Sequence, residues 1–176
     1  MDITDKAKKI KVLIVDIDGV MTDGKLHYTN NGDEFKSFDV TDGLGLVIAQ
    51  RKGIKCAILT AKQSNIVTKR ASDLGIEKVY QGYHFKIEVL EDIKKAFEVS
   101  SEQICFIGDD IIDITVLKEV GFAVAVKNAR SEVKKEADYI TEAQGGNGAV
   151  REICELILKA QGKWEEVLDV YSKNNK

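Results

Sequence analysis

Four unbroken apolar runs set the rhythm of the chain: "KVLIVD" (11–16), "KCAILT" (55–60), "ICFIGD" (104–109) and "FAVAV" (122–126). They are short, rich in β-branched residues and do not alternate apolar with polar. Strands of that kind are covered on both faces, as in a parallel sheet. "KVYQG" (78–82) and "DYI" (138–140) are weaker strand candidates. Between the strands the spacing turns helical. "DGLGLVIAQRKG" (42–53) stops at Gly53, and "SNIVTKRASDLG" (64–75) runs from a Ser64 cap to Gly75. "KIEVLEDIKKAFEV" (86–99) sets Ile87, Leu90, Ile93, Ala96 and Phe97 on one face. "DIIDITVLKEVG" (110–121) and "AVREICELILKAQG" (149–162) close on Gly121 and Gly162. This alternation predicts an α/β fold: a three-layer, Rossmann-like parallel sheet with helices on both faces and right-handed crossovers.

One segment breaks the rhythm. In "KLHYTNNGDEFKSFDV" (25–40), Asn-Asn-Gly-Asp separates two short runs that contain aromatics, which predicts a β-hairpin. Inserted directly after the first strand, it should project near that strand's C-terminal end. Tyr28, Phe35 and Phe38 alternate along it and are expected at an interface or in the core. No linker or repeat is visible. A single domain over 1–176 is expected, with no large cap domain and with a Gly-rich loop and helical tail over 145–176. The last five residues, "SKNNK", are expected to fray.

Composition narrows the partners. Lys and Arg total 26 against 29 Asp and Glu, a net charge of -3, which argues against a basic nucleic-acid-binding face. No apolar run approaches the roughly 18 residues of a membrane span, and the first residues, "MDITDKAKKIK", lack the apolar stretch of a secretory signal. Cys56, Cys105 and Cys154 form no C-x-x-C pair. They read as buried free thiols, which favours a reducing, cytoplasmic setting.

The chemistry collects at the C-terminal ends of the strands, the edge where open α/β sheets bind ligands. The first strand ends in Asp16-Ile17-Asp18-Gly19, the second in Thr60, and a later one in Gly108-Asp109-Asp110, with Asp113 one helical turn on. Lys86 follows the weak strand between them. Asp16 and Asp18 are two apart, so in extended chain they share a side. Several carboxylates at one place call for a hard cation, and Mg²⁺ suits oxygen donors. A hydroxyl and an ammonium can hold phosphate oxygens. Together these groups point to phosphoryl transfer. Asp16 is ionised at neutral pH without a helper base and can attack phosphorus. Asp18 can protonate the leaving oxygen and then deprotonate water. Gly19 keeps the turn tight and lets the backbone approach phosphate. Taken singly, each residue also has a plainer reading: Thr60 as a turn residue, Lys86 as a solvated helix lysine, Asp110 as a helix N-cap, Asp42-Gly43 as a helix start. His27 and His84 have no partner at ligand spacing, and Trp164 reads as a packing residue.

"DIDGVMTDG", Thr60 after "CAIL", Lys86 and "GDDIID" resemble, in order, the four motifs of the haloacid dehalogenase superfamily. The resemblance implies Asp16 as nucleophile, Asp18 as acid/base, and Mg²⁺ held by Asp16, the Asp18 carbonyl and Asp109. It places Thr60 and Lys86 on phosphate, and Asp113 in support of the metal shell or of Lys86. "DGVMTDG", "FDVTDGLG" and "GGNGAVRE" (145–152) extend the likeness to the small, nearly capless subfamily of 3-deoxy-D-manno-octulosonate 8-phosphate (KDO 8-phosphate) phosphatases. That subfamily implies a homotetramer in which hairpins meet at the centre and a neighbouring subunit helps close each site. A substrate carboxylate would then be met by Arg70, Lys62 or a neighbour's Arg151, with Asp42 and Gly43 beside the substrate. The chain departs at Ala61-Lys62, where many relatives have Gly-Arg; Lys keeps the charge but loses the bidentate fork. The similar 2-keto-3-deoxynononate 9-phosphate phosphatases carry Glu at the position of Lys62 and Lys at that of Asp73. This chain has neither, which favours the octulosonate.

Overall fold

In the computed structural model, which describes residues 2–173, the four apolar runs form the middle of a six-stranded, all-parallel sheet. The strands are β1 (Val12–Val15), β4 (Lys55–Thr60), β5 (Lys78–Gln81), β6 (Ile104–Gly108), β7 (Phe122–Ala125) and β8 (Tyr139–Ile140), in the order β5-β4-β1-β6-β7-β8. β2 (His27–Tyr28) and β3 (Glu34–Phe35) form the separate antiparallel hairpin. Every residue of β1 is sealed from solvent, so both sheet faces are covered there, as the unbroken apolar runs require. The two weak candidates take the sheet's edges, where partial exposure accounts for their thinner apolar pattern.

The helices are α1 (Ile3–Lys8), α2 (Val40–Arg51), α3 (Asn65–Asp73), α4 (Leu90–Phe97), α5 (Ile114–Leu117), α6 (Ser131–Glu136), α7 (Ala149–Ala160) and α8 (Trp164–Ser172). α2 starts before the expected Asp42, because Asp39 caps it by accepting from the N–H groups of Thr41 (2.6 Å) and Asp42 (3.1 Å). The helix expected over 110–121 is a tight turn, Ile111–Asp113, followed by the short α5. Asp113 causes the tightening: its Oδ2 accepts from the N–H groups of Asp109 (2.9 Å) and Asp110 (3.2 Å). The helix expected from Lys86 likewise opens with a 3₁₀ turn, Lys86–Val89. The hairpin pairs only over its tip, His27 and Tyr28 against Phe35 and Glu34. The His27 ring stacks on Phe35 at 4.8 Å, Tyr28 and Phe35 are exposed, and Phe38 packs against the core. Of the tail expected to fray, residues 174–176 lie outside the described residues.

Register positions the site. Val15 of β1 pairs with Ile58 of β4 on one side and Ile107 of β6 on the other. Asp16, Thr60 and Asp109 therefore emerge within two residues of one another at the same sheet edge. The chain turns from β1 first toward β4 and β5, then returns to place β6 on the other flank. That reversal opens a crevice at the end of β1.

Candidate active site

Asp16 closes β1 and is only 4% exposed. Its Oδ1 accepts from the Ile17 N–H at 2.7 Å, and its Oδ2 lies 2.9 Å from the Lys86 ammonium. Lys86 is wholly buried and donates at 2.6 Å to Asp113 Oδ1, so one ammonium is shared between two acids. Burial lifts Asp16 to about 7; the Lys86 charge opposes the lift and the Asp113 charge adds to it. Burial pulls the Lys86 ammonium down, but Asp16 and Asp113 outweigh it and leave the group above its ordinary value.

Asp18 and Gly19 form the turn that follows. Gly19 adopts φ +94, and a Cβ there would meet Asp109 Oδ2 at 2.1 Å, so only glycine lets the β1 and β6 ends come this close. The Gly-rich loop clamps the same turn. The Gly146 N–H donates to the Val20 carbonyl at 2.8 Å, and a Cβ on Gly145 would stand 1.7 Å from the Gly19 carbonyl oxygen. Asn128 holds the loop by accepting from the Gly145 N–H at 2.8 Å. Asp18 itself pairs with Lys36, which arrives from the hairpin and also faces Glu34 at 3.2 Å. Lys36 carries no signal in the sequence beyond one charge between aromatics.

At the end of β6, Asp109 Oδ1 is buried with no hydrogen-bond partner. Burial raises Asp109 to about 8, reinforced by the charges of Asp16 and Asp113. Carboxylate oxygens of Asp16, Asp109 and Asp113 all lie within 4.8 Å of one another. Asp113 has both oxygens engaged, by Lys86 and by two backbone N–H groups, so it orients Lys86 and the β6 end. Asp16 and Asp109 line the cavity and Asp113 does not, and Asp109 Oδ1 has no partner, so these two are the acids that face a cation. A buried Asp16 beside a half-buried Asp109 whose Oδ1 is unpartnered, with one ammonium already shared by Asp16 and Asp113, fits a hard dication. Asp110 caps the turn, accepting from the Ile111 N–H at 2.7 Å, and also faces the cavity.

Asp16, Asp18, Asp109 and Asp110 line a cavity of about 470 Å³ together with Thr60 and Lys62, while Lys86 and Asp113 lie buried behind it. Asn128 and Arg130 line it too. Neither was picked out from the sequence, although both follow the end of β7 and the strand-end rule that found Asp109 reaches them. Asp42, Gly43 and Arg70 are placed elsewhere. Asp42 is buried and accepts from the N–H groups of Gly148 (3.3 Å) and Arg151 (2.8 Å) at the start of α7. Burial lifts it to about 6 against the pull of those N–H groups. Arg70 lies over Phe38 (5.5 Å) and donates to the Asp39 carbonyl at 3.3 Å, while Gly43 makes room beneath its guanidinium. The Arg151 side chain is held by Glu155 (2.8 Å) and by the Trp164 ring (5.3 Å).

An acid that ends the first strand beside a shared lysine, facing an unpaired acid on the neighbouring strand, is the arrangement of a phosphohydrolase that uses aspartate as nucleophile. The chain belongs to the haloacid dehalogenase-like hydrolases: that family's profile matches residues 22–153, just downstream of Asp16 and Asp18. Within it, the chain is similar to 3-deoxy-D-manno-octulosonate 8-phosphate phosphatases. It is 42% identical to the Escherichia coli enzyme KdsC over 165 residues, 94% of this chain and 88% of that one. The fold superposes on the Moraxella catarrhalis phosphatase, solved with magnesium ion, phosphate ion and KDO, with a TM-score of 0.94 and 41% identity, covering 96% and 97% of the two chains. The cobalt-bound Haemophilus influenzae phosphatase gives a TM-score of 0.91 at 39% identity, covering 96% of this chain and 99% of that one.

Proposed function

We propose that this chain is a magnesium-dependent phosphomonoesterase that hydrolyses KDO 8-phosphate to KDO and phosphate, a step toward lipopolysaccharide precursors. The observation that carries the chemistry is the buried Asp16 held between the Ile17 N–H and Lys86 and facing the orphaned Asp109 oxygen. The sugar-acid substrate follows from the likeness to the phosphatases above. Asp16 attacks phosphorus as the ester P–O bond breaks, and Asp18 gives its proton to the departing sugar oxygen. Water then attacks the aspartyl phosphate and passes its proton to Asp18, and cleavage of the acyl–phosphate bond restores the Asp16 carboxylate. Mg²⁺, when bound by Asp16, Asp109 and the Asp18 carbonyl, neutralises phosphate charge and keeps both acids ionised. Lys86 fixes Asp16 for attack, and Thr60 and Lys62 receive phosphate oxygens and substrate charge.

The reading extends to a single domain that works as a homotetramer in a cytoplasmic setting, with a neighbouring subunit helping to close the site. Exposed Tyr28 and Phe35 on the hairpin, and Phe85 and Ile111 beyond strand ends, are apolar surface that association would cover. Three buried free thiols suit a reducing compartment. Among the described residues no helix is long and apolar enough to cross a membrane. The test is phosphate release from KDO 8-phosphate, 2-keto-3-deoxynononate 9-phosphate, hexose phosphates and p-nitrophenyl phosphate, each with Mg²⁺ and with EDTA, alongside light scattering. Preference for KDO 8-phosphate, abolished by EDTA, is expected. A different favourite would sink the substrate, and turnover in EDTA would sink the metal.

A further inference from the structure

Each of the two acids at the mouth of β1 is paired with a different lysine. For Asp16 it is Lys86; for Asp18 it is Lys36, delivered by the hairpin. We propose that Lys36 is the positioning residue that holds Asp18 in the geometry its proton transfers require, so that the hairpin and the chemistry are coupled through one side chain. This rests on the reading of Asp18 as acid/base given above.

Lys36 directly follows β3, on a hairpin whose neighbouring Phe35 and Ser37 are exposed, yet its own side chain is 2% exposed. Lysine is seldom buried without a paired acid. Here it has two: Asp18 Oδ1, and Glu34 at 3.2 Å. Glu34 steadies the ammonium from the hairpin side, and the ammonium steadies Asp18 from above the turn. Among the described residues, no other side chain or N–H group bonds the Asp18 carboxylate. Lys36 occupies Oδ1, which leaves Oδ2 to carry the proton toward the cavity that Asp18 lines. Proton transfer needs heavy atoms within hydrogen-bond reach, about 2.6–3.2 Å, so a carboxylate free to rotate loses rate while substrate binding survives.

The experiment compares two esters. A sugar phosphate needs its leaving oxygen protonated; p-nitrophenolate leaves without help. The kcat/KM reports the first, acid-assisted transfer to Asp16. For Lys36→Met we expect kcat/KM to fall about 10- to 100-fold with KDO 8-phosphate and less than about 3-fold with p-nitrophenyl phosphate. Lys36→Arg should recover most of the loss. In an Asp18→Asn background, Lys36→Met should add nothing, because the residue it positions is already disabled. Equal losses on both esters, or a further loss on top of Asp18→Asn, would overturn the proposal. Glu34→Gln guards against a collapsed hairpin: it keeps Lys36 and should cause a smaller loss with the same ester preference, and a loss without that preference again counts against the proposal. Asp18→Asn with undiminished turnover of KDO 8-phosphate would instead remove the acid/base reading beneath it.

Discussion

Lys86 donates to Asp113 across 2.6 Å with both side chains wholly buried, and the same ammonium stands 2.9 Å from Asp16. Asp113 spends its other oxygen on the Asp109 and Asp110 N–H groups. One chain of contacts thus runs from Asp16 to the strand end that carries the unpaired Asp109. Lys86→Met keeps the bulk but leaves Asp16 and Asp113 facing each other without a cation. Breaking a buried pair from one side costs about 3–5 kcal/mol. The expected outcome is a stability loss of that size in urea unfolding, together with a fall in phosphate release of more than about 100-fold. Lost activity at an unchanged unfolding midpoint would mean that the lysine serves substrate alone.

The place of Asp42 separates two roles that the sequence left open. Its carboxylate caps α7, receiving the Gly148 and Arg151 N–H groups, and it does not line the cavity. Asp42→Ala strips those N–H groups of their acceptor in a buried position. It should cost about 1–2 kcal/mol of stability while changing KM less than about 3-fold. A large rise in KM at nearly unchanged stability would place Asp42 on substrate instead.

Much of this was legible because strand ends in a parallel sheet are forced to one edge. Asp16, Thr60 and Asp109 needed only their apolar runs and the α/β rhythm to be brought together. Lys86 was tied to them less firmly, by its place after the weak edge strand, where the register is poor. What stayed hidden depends on contacts far apart in the chain. The pairing of Lys36 with Asp18 spans the hairpin, and the docking of Gly145 on Gly19 joins opposite ends of the sequence. Asp42 at a helix start could serve equally as a ligand contact or as a cap, and Arg70 on a helix face as a substrate or a structural contact, and local sequence does not separate these. Short range also misled at Asp113, whose side-chain Oδ2 accepts from the Asp110 and Asp109 N–H groups, three and four residues back, and replaces a regular helix with a tight turn.

The contact between Gly145 and Gly19 supplies a test of how the Gly-rich loop serves the site. A Cβ on Gly145 would lie 1.7 Å from a backbone oxygen, with no flexible side chain to yield. Gly145→Ala must push the loop or the Asp18–Gly19 turn aside. Displacing a catalytic group by about 1 Å can cost roughly 100-fold in rate, so kcat should fall about 10- to 100-fold. At Gly162 nothing lies within 4 Å, and Gly162→Ala should leave kcat unchanged, at a backbone cost of about 1–2 kcal/mol for its positive φ. Equal kcat values for the two variants would show that the loop does not set the turn.

Asp39 joins the hairpin to α2, and its ionisation makes stability depend on pH. Its carboxylate accepts from the Thr41 hydroxyl at 2.5 Å and from the Thr41 and Asp42 N–H groups, with the Arg70 charge nearby. The hydroxyl bond first, then the N–H groups and Arg70, outweigh partial desolvation and hold it below the ordinary 3.8. A depressed acid binds its proton more weakly in the folded state. It therefore adds stability above its unfolded value, and that gain drains away as pH falls through the lower folded value. Asp39→Asn keeps a capping oxygen but loses the charge. At about pH 7 the wild type should exceed the variant by a few tenths of a kcal/mol, a figure kept small by solvent screening at this half-buried position. The gap should narrow from about pH 4 downward and close once Asp39 is protonated in both states. Urea unfolding midpoints across that range decide it: a gap that held constant into strong acid would assign the difference to hydrogen-bond geometry, with no part for the charge.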